Sequence, residues 1–448
     1  MAERHRPNAP LRALLGEARW TGEDLARAVN AAGEEAGLSL HYQRPSVAQW
    51  LAGGVPRRPV PELIAEALSR RLRRVVTPAA AGFPAAPRPP GQDRSPPDGA
   101  DRLARLTAAV AVRGRPPSVA YSALDPTLDP TLDQYVPEEG LDPAAAPGRS
   151  LSQAHVRALR EMGGVFSRAD HLSGAGRVRP ALTRYLSTTV SAWLRAGAPP
   201  AVRRDLLAAA APLVYLCGFA HFDDGLHGHA QRYYRLAASL ADEAGDRVGR
   251  AVALRALSVQ AHQLRYRRRA YQLAEAAVSE GRYAEPRTRA FLYGQLAVAQ
   301  ASLGERQDAL RHLGTAADEL GRGAGRPQPL IGAYHEASLA HQRAVVVGHL
   351  GDLPGAVAAL RESLRHRSAQ ENRSRALTLA RLAELQLASG AVDAACLTWR
   401  QFLLCQGQLS SHRADRALVL MRAHTAPHRT HPAVRALLGL LPGPGRTG

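Results

Sequence analysis

The sequence predicts an all-α protein made of a small four-helix unit, a proline-rich linker and a long array of helix pairs. Three observations carry that prediction. Apolar residues recur at helical spacing over most of the 448 residues, and aromatic residues make up only 5%. From Thr77 the chain turns into "TPAAAGFPAAPRPPGQDRSPPDG", too rich in Pro, Gly and Ala to hold a helix or a strand. Beyond position 151 one pattern, glycine then four residues then alanine, returns between amphipathic stretches. The expected divisions are therefore residues 1–77, 78–150 and 151–448.

In the first region "PLRALLGEAR" forms one helix. A second starts at Thr21, an N-cap whose capping box is completed by Asp24, with Trp20 placed to staple onto Leu25. It runs through "EDLARAVNAA" with Leu25, Ala28 and Val29 on one face. After a long turn at residues 33–43 comes "RPSVAQWLAGGVPRRP", residues 44–59, with Pro45 in its first turn and Gly53-Gly54 stopping it. Val47, Trp50 and Leu51 at i, i+3 and i+4 face a core, which the fourth helix, "VPELIAEALSRRL", closes with Val60, Leu63, Ile64, Ala67, Leu68 and Leu72.

That packing leaves Ser46 and Gln49 together on the opposite face, where a recognition helix offers hydrogen-bonding groups to base edges. Arg44, Arg57 and Arg58 bracket the helix and could grip phosphates. The expected site is thus Arg44, Ser46, Gln49, Arg57 and Arg58 in a helix-turn-helix, with double-stranded DNA as partner.

In the linker, "DRLARLTAAVAV" from Asp101 supplies one helix able to dock on a neighbour, and residues 113–150, including the tandem "LDPTLDPT" at 124–131, read as extended or disordered.

In the third region the pattern stands as "GLHGHA" at 225–230, "GERQDA" at 304–309, "GDLPGA" at 351–356 and "GAVDAA" at 390–395. The first interval is twice the last, so a hidden copy is expected near 265, where "RYRRRA" has arginine in the glycine place and keeps the alanine. The periods are then 40, 39, 47 and 39 residues, the long one holding an insertion, "GRGAGRPQP", at 321–329. Glycine permits the turn between two helices, and the small alanine lets the second lie close to the first. Such pairs stack into a superhelix with a concave surface and exposed terminal faces. The small-residue positions resemble those of tetratricopeptide repeats.

All 58 basic residues are arginine, set against 39 acids, for a formal charge of +19. Residues 1–75 hold 12 arginines against 8 acids and residues 151–448 hold 39 against 22, so most of the excess lies outside the expected DNA reader. The net charge favours polyanionic partners. Cys217, Cys396 and Cys405 offer no disulfide framework, which suits a reducing cytoplasm. The start "MAERHRPNAP" has no apolar signal core, and the longest uncharged run, Leu206 to Ala220, is shorter than the roughly 20 residues a bilayer needs. No membrane association is expected.

Sharper chemistry finds less support. Cys217, His221, Asp223, Asp224, His227 and His229 fall within thirteen residues and could be drawn as a zinc site, but the two latter histidines belong to a polar repeat turn and the cysteine to a core, so no metal is expected. "RYRRRAY" at 265–271 mixes arginine and tyrosine as a nucleic-acid contact would, yet it spans an inter-helix turn and reads better as a solvated charge run. No phosphate loop, nucleophile elbow or paired-carboxylate motif stands out, so neither catalysis nor a cofactor is expected. The array holds a single asparagine, Asn372, which disfavours peptide capture through asparagines that grip a peptide backbone.

With these residues in view, the first region, "SVAQWLAG" above all, is similar to the N-terminal segment of actinobacterial regulators with a helix-turn-helix of the xenobiotic-response-element type. "VRALREMGGVFSRADHLSGAGRVRPALTRYL" and "CGFAHFDDGLHGHAQRYYRLAASLADEAGD" resemble the opening of the tetratricopeptide-like array that follows in that family. The resemblance implies a transcriptional regulator, with some relatives repressing sporulation and antibiotic production. A homodimer is expected, with the array dimerising the chain or receiving a protein or peptide partner. An interaction scaffold without DNA binding is the alternative.

Overall fold

The structure is a computed structural model that describes residues 7–84, 98–111, 119, 121–123, 151–325 and 334–441. Among these the protein is all-α, with no strand. The tandem at 124–131 and the later part of the 321–329 insertion lie outside the described residues. The chain divides into two compact units, residues 1–150 with 183–197 and 225–236, and residues 151–182 with 198–224 and 237–448.

The first unit opens with α1 (Ala9–Ala18), α2 (Gly22–Glu35), α3 (Arg44–Leu51) and α4 (Val60–Leu72). The Asn8 side chain accepts from the Leu11 N–H at 2.9 Å, and the capping box between Thr21 and Asp24 is complete. Leu11, Leu25, Val29, Val47, Trp50, Ile64 and Leu68 form one core. That core runs past Thr77: Val76, Ala81 and Phe83 are buried in it, and Asn8 donates to the Ala81 carbonyl at 3.0 Å. A segment read as the start of the linker is therefore part of the bundle, because one aromatic ring fills a gap that Pro/Ala composition hides. In the linker α5 (Gly99–Ala111) buries Leu103 and Thr107 and packs on a π-turn at Leu186–Val190 and on α8 (Ser191–Arg195).

The second unit takes in α6 (Gln153–Ser173), most of α7 (Ala175–Tyr185), α9 (Pro200–Asp223) and the later part of α10 (His227–Glu243). Four helix pairs follow: α11 (Arg247–Gln263) with α12 (Arg267–Glu280), α13 (Pro286–Leu303) with α14 (Arg306–Arg322), α15 (Glu336–His349) with α16 (Leu353–His366), and α17 (Asn372–Ala388) with α18 (Val392–Gln406). The end is formed by α19 (His412–Thr425) and α20 (Pro432–Leu438).

Each pair turns on the same device. Gly304, Gly351 and Gly390 have φ of +85°, +89° and +77°, Gly225 has +75°, and Arg265 in the hidden copy has +65°. In the four pairs the left-handed residue donates its N–H three residues back, as Gly304 does to Ala301 and Arg265 to His262. The next residue donates five back, as Glu305 does to Gln300 and Tyr266 to Ala261. This double bond satisfies carbonyls that the helix end would otherwise orphan. Five residues after each left-handed position stands a fully buried alanine, Ala230, Ala270, Ala309, Ala356 and Ala395.

The terminal faces are not exposed as expected. Helix α6 packs against both α9 and α17, while α19 and α20 cover the outer side of the last pair. Arg373 reaches Asp170 at 2.9 Å and Asp223 at 3.7 Å, and Arg413 lies 3.9 Å from Asp223. Ser410 donates to the Ser173 carbonyl and accepts from the Gly176 N–H, both at 2.9 Å. A Cβ on Gly174, itself at φ +84°, would come within 2.6 Å of the Ser410 carbonyl oxygen. The array is thereby latched by ionic and backbone bonds between residues 150 or more positions apart. Helix α9 is long and apolar enough to cross a membrane, and 78% of its apolar window is buried, as in a core helix.

Two predictions follow from this packing. A left-handed conformation costs a non-glycine residue about 1–2 kcal/mol, partly offset by the entropy glycine loses on folding. Arg265→Gly should raise array stability by about 0.5–1 kcal/mol in denaturant unfolding, with no change in helix content. The second concerns pH. Burial holds His171, His262 and His341 neutral, with pKa values pushed down to about 4. Their protonation from pH 6.5 down to 4 is confined to the unfolded chain and so removes stability as pH falls. Asp170, raised by burial to about 6, has the opposite sign, since the folded state takes up its proton first. Burial also pushes His312 and His349 down and Asp224 and Glu66 up. With five imidazoles against three carboxyls, the unfolding temperature should fall between pH 6.5 and pH 4, which calorimetry across that range checks.

Candidate nucleic-acid interface

The expected reading helix is held from below and from behind. Val47 and Trp50 are buried, Trp50 packs edge-on to Tyr42 with ring centroids 5.1 Å apart, and α3 lies on α2. The long turn before it is pinned by Asn30 of α2, whose amide accepts from the Tyr42 N–H and donates to the Tyr42 carbonyl, each at 2.9 Å. Gly33 lets that turn close, because a Cβ there would stand 2.5 Å from Leu40 Cδ1. After the helix, Gly54 donates to the Gln49 carbonyl at 2.9 Å, with Gly53 at φ +104° making the reversal.

On this support the structure places Arg44 in the first turn of α3 and Gln49 one turn later, both exposed, with Ser46 half-buried between them. Arg57 is exposed in the following turn. Arg58 is half-buried and paired to Glu62 at 3.1 Å. Two further exposed residues share the face and were not singled out by the sequence: Gln43 at the N-cap, making no side-chain capping bond, and Ala48 beside Gln49. Glutamine can pair with an adenine edge, and an alanine methyl can touch a thymine methyl. Their signal lay in the helix register, which the 33–43 turn leaves open until Asn30 is seen to fix it. The first turn of α3 carries no acid, so the positive end of the helix is left uncompensated beside Arg44.

The His/Cys-rich and Arg/Tyr-rich stretches lie elsewhere in the fold. Cys217, His221 and Asp223 are fully buried on α9, and a His221 ring nitrogen lies 2.8 Å from the Cys217 carbonyl oxygen. His227 and His229, read as turn residues, are buried in the first turn of α10 instead, because α10 begins at His227, two residues after the left-handed Gly225. Among the described residues no cluster of three or more His, Cys, Asp or Glu side chains is placed to hold a metal ion. In "RYRRRAY", Arg265 makes the turn, Arg267 and Arg268 are exposed, and Tyr271 donates to Glu275 at 2.8 Å.

Comparison with known proteins gives little beyond the bundle. A family model described as the SP15 N-terminal domain matches residues 11–84, which are α1 to α4 together with the return segment through Phe83. No curated protein matches the sequence. Among solved structures, BtubC (BKLC) from P. vanneervenii is 15% identical, with 61% of this chain and 93% of that chain covered at a TM-score of 0.32, a likeness too slight to inform the reading of this chain.

Proposed function

We propose that this protein is a DNA-binding transcriptional regulator: the α1–α4 bundle reads promoter DNA through α3, and the helical array receives a protein or peptide partner. The reading rests on one observation, the buried pair Val47 and Trp50 that turns Gln49 and Arg44 outward on a short helix with a pinned entry. A helix presented this way fits the major groove, with Gln49 and Ser46 toward base edges and Arg44 and Arg57 toward phosphates. The resemblance to actinobacterial regulators extends the proposal to control of development or secondary metabolism, in the cytoplasm and on the nucleoid. Two copies on adjacent half-sites roughly 34–36 Å apart would supply the contact area that one small bundle lacks. The positive excess of the array and the pairing of Arg58 with Glu62 favour the alternative, an interaction scaffold without DNA binding.

A pair of variants separates these readings. Gln49→Ala should weaken binding to a specific site by about 1–3 kcal/mol and leave random DNA almost unaffected. Arg57→Ala should weaken both equally and flatten the salt dependence by about one unit. Titrations at several salt concentrations measure both quantities. DNA affinity unchanged in either variant would favour the scaffold.

A further inference from the structure

Three linker residues, Tyr121 to Ala123, are held in the first unit by side chains that bond to their backbone. The Tyr121 carbonyl accepts from Arg70 Nη2 at 2.7 Å. The Ser122 N–H donates to Gln231 Oε1 at 2.9 Å, and Gln231 Nε2 donates back to the Ser122 carbonyl at 2.8 Å. The Ala123 N–H donates to Glu66 Oε1 at 2.9 Å. Four backbone groups in succession are thus each taken by a side chain, with no helix or strand partner involved.

The gripping residues are a built set. Arg70 is itself fixed by Glu66 at 2.7 Å and by both oxygens of Glu35 at 2.8 and 3.1 Å. Gln231 is 3% exposed, so its amide has given up water for these two bonds. Tyr121 and Ala123 are buried and Ser122 is half-buried, which asks of the held segment an aromatic residue followed, two places on, by a small one. Arg70 and Glu66 belong to α4 and Gln231 to the first turns of α10, so the held segment ties these two helices together.

We propose that Arg70, Glu66 and Gln231 form a binding site for an extended peptide, occupied in cis by the chain's own Tyr121–Ser122–Ala123, and that a peptide of the same pattern can take that place in trans. Recognition runs through the backbone, so the class of ligand is an extended segment with free N–H and C=O groups and an aromatic–x–small side-chain pattern. A tethered segment competes at an effective concentration in the millimolar range, so the site is closed to outside peptides until the cis hold is weakened. The site does not depend on the DNA-binding reading.

The test uses the full chain and a labelled heptapeptide of sequence VAYSALD, copied from residues 119–125. Ser122→Pro removes the N–H that Gln231 accepts and should open the site without altering helix content. Fluorescence anisotropy should show the heptapeptide binding S122P at least about ten-fold more tightly than the unaltered protein. The same peptide with proline in place of its serine should fail to bind S122P, and adding Gln231→Ala to S122P should abolish binding. If S122P loses helix content, Tyr121→Ala serves as the opening variant. Equal binding by opened and unaltered protein would overturn the cis occupancy. Absence of binding to an opened, folded variant, or equal binding of the proline-containing peptide, would overturn the site.

Discussion

The array depends on one constraint: a helix must end in a left-handed residue, and a fully buried alanine must follow five positions later. The left-handed residue reverses the chain and feeds its own and the next N–H to carbonyls that the helix end leaves open. The alanine sets how near the returning helix can lie. Leucine at Ala309 or Ala356 would push the pair apart, at about 1–3 kcal/mol for a single overpacked site. Arg265 shows that backbone geometry is the stronger requirement, since the copy that lost its glycine keeps both the φ and the double hydrogen bond.

A related economy governs the bundle. Trp50, Tyr42 and Asn30 spend their interactions on fixing where α3 begins and which face it turns outward, so the outer face is left with Arg44, Ala48 and Gln49. A helix of eight residues has little stability of its own. Its orientation is therefore imposed by the core beneath it, and the proposed reading of DNA inherits its geometry from Val47 and Trp50 more than from the residues that would touch bases.

Much of this was legible in the sequence, for a physical reason. Helix periodicity, the Thr21 capping box and the Gly-x4-Ala spacing are local signals, and the doubled interval together with the retained alanine of "RYRRRA" located the hidden copy near 265. What escaped depends on long-range geometry. Nothing near Asp170 announces Arg373, and only the folded chain reveals that α6 covers the face of α17. Phe83 and Tyr121 sit in proline- and alanine-rich surroundings, where composition argues against order although one buried ring is enough to anchor a short segment. Gln231 carries the same amide as an asparagine at the end of a longer arm, and its backbone bonds to Ser122 form only in the folded chain. For the candidate interface, the side chains were readable as a helix face, while their register needed the Asn30 clamp.

The central claim is that α3 is a DNA-reading helix, and footprinting across the genome of the host cell tests it most directly. The account predicts protection of discrete sites that share a sequence in which two half-sites lie one helical turn apart. Protection spread evenly over the genome, or none at all, would contradict it.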